Sequence, residues 1–89
     1  MAAVTPTTQG NRHVVGDLIF RAYVVGTVNN ADTMVVPQAR IEVIDINAAA
    51  TGADPTATYT SGPGDATSTI TFLSGSAWSG RVGVWSRLG

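Results

Sequence analysis

The chain is 89 residues long, 44% hydrophobic and only 12% charged, with a formal net charge of −1 and no cysteine. Its length holds a single domain, and its near-neutral balance lacks the clustered Lys and Arg of a nucleic-acid-binding face. Without cysteine there is no disulfide framework, thiolate metal site or cysteine nucleophile, and no apolar run approaches the ~18 residues of a membrane helix.

Charged residues usually make up about 25% of a soluble domain. Here the deficit lies on the surface, because the hydrophobic share is ordinary: Thr, Ser, Asn, Gly and Ala fill the remaining positions, and there is no lysine. A freely diffusing monomer usually carries more charge than this for solubility, so the composition points to a surface of which much is covered by partners, the alternative being a merely polar, Thr-rich surface.

Residues 1–11 contain Pro6, a Thr- and Gln-rich run, and Gly10 followed by Asn11, which is turn chemistry without helical period. They read as an extended N-terminal arm. Its weakly polar Val4, Thr5, Thr7 and Thr8 are candidate interface residues, offered to a neighbouring subunit by strand pairing. No basic segment followed by an apolar run marks a secretory signal here.

Residues 13–28 alternate with period 2. Leu18, Phe20 and Val24 are expected in the core, with His13, Asp17, Arg21, Tyr23 and Thr27 on the polar face. Gly16 and Gly26 are expected bends or bulges. Residues 29–32, Asn-Asn-Ala-Asp, form a turn. Thr33–Val36 is a short strand stopped by Pro37. Residues 39–46 are the next strand, with Ile41 and Val43 on one side and Arg40, Glu42, Ile44 and Ile46 on the other.

After a small-residue loop over 47–55, residues 56–60 are a strand by their Thr and Tyr content. Residues 61–65, Ser-Gly-Pro-Gly-Asp, are the strongest turn signal. Residues 67–73 set Ile70 and Phe72 against Thr67, Thr69 and Thr71, and residues 78–88 close the chain. Six or seven short antiparallel strands with turn signals every 8 to 12 residues or so predict an all-β fold, a single small β-sandwich or barrel over residues 12–89.

The sequence offers little for chemistry. A lone histidine, His13, and scattered serines have no spacing that suggests a catalytic triad, so no enzyme activity is expected. The loop carboxylates Asp17, Asp32, Asp54 and Asp65 adjoin turn residues and lack a calcium-loop pattern, so no metal is expected. Gly62-Pro63-Gly64 is not followed by the lysine and helix of a phosphate loop, and no cofactor is expected. Tyr23, Tyr59, Trp78 and Trp85 are candidates for a sugar-stacking platform, although a sandwich uses the same residues for packing.

The last strand makes a sharper statement. Residues seven apart on a continuous strand point to opposite faces, so the two tryptophans part company. Trp78 shares parity with Val82 and Val84 and is expected in the core, unless a bulge near Gly80 or Gly83 brings both inside. Trp85 shares parity with Arg81 and Arg87, and an aromatic flanked by arginines is the composition of an interface hot spot.

Met1-Ala2-Ala3-Val4-Thr5, Gly16-Asp17-Leu18-Ile19-Phe20, Ser68-Thr69-Ile70-Thr71-Phe72 and Gly80-Arg81-Val82-Gly83-Val84-Trp85 give the chain a texture that resembles small virion proteins of tailed bacteriophages, particularly capsid cement or decoration proteins. The resemblance implies a structural β-domain, often a homotrimer, made in the host cytoplasm and seated on the outside of the head at junctions of the major capsid protein lattice. Similar small phage proteins occur in tails and connectors. From a different class, a free-standing carbohydrate-binding or adhesion module fits the same composition.

Overall fold

A computed structural model describes residues 2–38, 40–49, 52–61 and 67–87. These contain eight strands: β1 (Thr8–Gln9), β2 (His13–Val15), β3 (Leu18–Val28), β4 (Thr33–Val36), β5 (Ile41–Ala48), β6 (Thr56–Ser61), β7 (Ser68–Leu73) and β8 (Trp78–Arg87). The fold is all-β, with two antiparallel sheets and no helix among the described residues. One sheet runs β1-β3-β8-β5, with β2 also paired to β3; the other runs β4-β7-β6.

The sheets share one core. The larger contributes Tyr23, Val25, Val28, Ile41, Trp78, Val82 and Val84, and the smaller Met34, Val36, Ile70 and Phe72. Phe72 of β7 meets Trp78 of β8 edge to face, with ring centroids 5.5 Å apart. That is a favoured aromatic geometry, and it ties one sheet to the other. Each such side chain stabilises the fold by about 1.5–3 kcal/mol through burial.

Several expected features differ in the structure. Residues 13–28 are not one bent strand but the hairpin β2–β3, with Val15 facing Leu18 and Gly16 at φ +60° in the turn, a conformation glycine adopts without steric cost. On β3 the expected faces are exchanged. Tyr23 and Val25 are buried, whereas Leu18, Phe20 and Val24 are only half-buried, on the opposite parity. On β5 the register shifts between Ile41 and Val43, so Ile41 is buried while Val43 is 49% exposed, and Ile44 and Ile46 pack against the core. A bulge of this kind re-aims every side chain beyond it.

The N-terminal segment is extended, but its pairing is made within its own domain. Thr33 N–H donates to Ala2 O and Val4 N–H to Thr33 O, which ties the segment to β4. Further along, Thr7 N–H donates to Val24 O and Gly10 N–H to Ala22 O, which ties it to β3. It is therefore a strap across the two sheets, and not a free arm. The expected turn beyond Ser61, and the strand ends expected at Ala39 and Leu88, lie outside the described residues.

Candidate interaction face

Strand parity and register together build a continuous outer face on the larger sheet. On β8, Trp78, Val82, Val84 and Ser86 point inward and are buried, which leaves Arg81, Gly83, Trp85 and Arg87 outward. Trp78 is 3% exposed, and Trp85 is half-buried on the opposite face; the register shift beside Gly80 places its extra residue on β3, between Val25 and Val28, and leaves the alternation of β8 intact. Residues directly opposite on paired strands share a face. The outward rows are accordingly Phe20–Trp85–Val43, Ala22–Gly83–Asp45 and Val24–Arg81–Asn47.

The first row is apolar across three strands. The rings of Phe20 and Trp85 lie 4.7 Å apart at 46°, a stacking contact worth about 0.5–1.5 kcal/mol beyond the area it buries. Gly83 leaves room for this: a Cβ at that position would stand 2.9 Å from Phe20 Cε1, so a larger residue there would push the ring aside. Val15, opposite Leu18 at the hairpin end, is 56% exposed and extends the apolar surface. Rows of apolar side chains left in water on a folded monomer mark an interaction surface when they are contiguous.

Charge on this face is sparse and balanced. Arg87 Nε donates to the Glu42 carboxylate, an exposed ion pair that adds little stability. Arg81 makes no ion pair among the described residues, and Asp45 stands one diagonal step from it across β5 and β8. His13 is exposed, opposite Phe20. No group of three or more His, Asp or Glu residues among those described is placed to hold a metal.

The structure thus brings Arg81, Trp85 and Arg87 onto one face and adds Thr8, which faces Val24 in the row of Arg81. Val4 is not brought there, because it packs against the core, while Thr5 is exposed on the strap. Thr7 donates its hydroxyl to Val24 O at 3.1 Å and so serves the strap itself. Phe20 and Val43, which complete the apolar row, were expected to face elsewhere. Their signal lies in the pairing partners and not in their own strands, since both parities of β3 are apolar.

An open cleft of about 370 Å³ lies where the β3–β4, β5–β6 and β7–β8 connections meet, bounded by Asn30, Asp54, Leu73 and Ser74. It carries no cluster of titratable groups that would mark it as a reactive site. No protein-family model, curated protein or solved structure matches the chain.

Proposed function

We propose that the protein is a non-enzymatic structural component of a phage virion, a decoration protein that binds the capsid lattice through the outer face of the β1-β3-β8-β5 sheet. The observation that carries the reading is the Phe20–Trp85–Val43 row, an apolar anchor set between Arg81 and Arg87 on a surface otherwise poor in charge. Interface hot spots are built this way, from a rigid aromatic held among arginines and ringed by energetically neutral contacts. A lattice presents many identical sites, so modest affinity per copy is enough for the coat as a whole to be covered and reinforced. The virion setting itself rests on the resemblance in sequence texture.

Co-sedimentation of the purified protein with empty heads assembled from the major capsid protein of a tailed phage tests this directly. The wild type is expected to pellet with the heads. Trp85→Ala should weaken binding about 30-fold, equivalent to the ~2 kcal/mol of a hot spot, while its circular dichroism stays β-type. Failure of the wild type to bind heads, together with retention on a glycan array, would replace this reading with that of a carbohydrate-binding module.

A further inference from the structure

The strand edges of the sandwich are unequally protected. The strap covers the outer edge of β3 and meets β4 at Thr33. The rest of β4 is short and ends at Pro37. The edge of β5 is broken by its bulge and carries Glu42 and Asp45. Bulges, acidic side chains, prolines and short strands are the devices by which proteins keep their edges from pairing with other chains.

The edge of β6 has none of them. Thr56–Ser61 contains no charged residue and no proline, and it pairs with β7 in unbroken register from Thr56↔Leu73 to Ser61↔Ser68. Its other side has no strand partner among the described residues. Thr56, Thr58, Tyr59 and Thr60 are exposed, Tyr59 by 45% of its surface.

We infer that β6 is a homotypic docking edge, at which two copies of this chain pair antiparallel across a two-fold axis at Thr58 and join their three-stranded sheets into one of six strands. The occupant follows from the residue order. With Thr58 facing its own copy, Thr56 faces Thr60, and Ala57 faces Tyr59 on the inner side. Every threonine then meets a threonine, and each exposed tyrosine ring lies over the small side chain opposite. Cross-strand Thr–Thr pairs are among the favoured ones in antiparallel sheets. Centring the axis on Tyr59 would oppose two rings and leave Thr56 outside the paired stretch; centring it on Ala57 would draw Pro55 into the ladder. No charge is buried, because β4, β6 and β7 contain no Asp, Glu, Arg or Lys. A two-fold interface must be self-complementary in this sense. The inference stands apart from the virion reading and does not depend on it.

The absence of cysteine makes the test clean. Facing Cα atoms in an antiparallel pair are about 4.5–5.5 Å apart, within the ~4.4–6.8 Å that a disulfide spans. Thr58→Cys is therefore expected to form a covalent dimer under mild oxidation, whereas Val35→Cys, exposed on the short β4, is not. By sedimentation the wild type should be a dimer. Thr58→Lys and Thr58→Glu, each folded by circular dichroism, should be monomers alone and should recover the dimer when mixed in equal amounts. A wild type that stays monomeric at about 1 mM, the weak end of useful affinity, overturns the inference. So does a dimer that Thr58→Cys fails to cross-link, or one that mixing fails to restore.

Discussion

Tyr23 is a polar side chain at the centre of the core, fully buried, and its hydroxyl takes part in a hydrogen-bond network that reaches both sheets. It donates to Gln38 Oε1 at 2.7 Å, and Gln38 Nε2 in turn donates to Val84 O at 3.2 Å and Ser86 Oγ at 3.1 Å. Ser68 Oγ donates to Gln38 O, so the network reaches from β3 through the residue after Pro37 to β8 and β7. A buried donor tolerates its burial only when it has a partner. Burial pushes the phenol up to about 12, with the Arg21 guanidinium offsetting part of the effect. The folded value lies above the ordinary one, near 10, so the neutral phenol's contribution is complete below about pH 10 and is lost as the pH rises toward 12. Tyr23→Phe leaves Gln38 Oε1 unsatisfied and is expected to cost about 1–3 kcal/mol at neutral pH. Urea midpoints followed from pH 8 to about 12 should fall steeply for the wild type and lack that Tyr23-linked fall in Tyr23→Phe. Parallel pH profiles would show that the phenol does not carry the alkaline loss.

Strand by strand, the alternation is decisive where one parity is plainly polar and misleading where it is not. On β7, Ile70 and Phe72 stand against threonines, and on β8, Trp78, Val82 and Val84 stand against arginines; both strands face as their sequences predict. On β3, Leu18, Phe20 and Val24 compete with Ile19, Tyr23 and Val25, and the choice is made by β8 through the register, a non-local fact that no window of β3 contains. The bulge at Glu42 and the strap are invisible for the same reason. The strap's anchor is Asp32, which resembled an ordinary turn residue. Its Oδ2 accepts from Asn29 N–H at 2.8 Å and its Oδ1 from Ala2 N–H at 3.0 Å. The Asn29 bond chiefly, and the Ala2 bond after it, hold the carboxyl below its usual range. A depressed carboxylate stabilises above its ordinary pKa, and the contribution disappears as the pH falls through the lowered value. Hydrogen-exchange protection of the Val4 and Thr33 amides, which bond across the strap, should therefore decline as the pH drops below about 4. Asp32→Asn should weaken that protection at neutral pH and abolish its acid dependence. An undiminished wild-type protection at acid pH would remove Asp32 as the anchor.

At the scale of the whole molecule, the shortage of charge resolves into two different surfaces. The smaller sheet is uncharged throughout, with rows such as Thr33–Thr71–Thr58 on its outside. On its outer face the larger sheet carries its few charges in compensating positions, Arg87 against Glu42 and Arg81 one diagonal step from Asp45. Composition alone gives the shortage of charge, while only the register shows which face holds the apolar row. If the outer face binds heads as proposed, its apolar row and not its charge supplies the affinity. Ionic steering and ion-pair affinity weaken as salt shortens the screening length from about 30 Å at 0.01 M to about 3 Å at 1 M, whereas burial of Phe20, Trp85 and Val43 does not depend on screening. Head binding measured across that range is expected to change by less than about threefold, because rim charges set mainly the on-rate and its salt dependence. Loss of binding by tenfold or more at high salt would mean that Arg81 and its neighbours, and not the aromatic row, carry the affinity. In that case Arg81→Ala, and not Trp85→Ala, would be the variant that abolishes it.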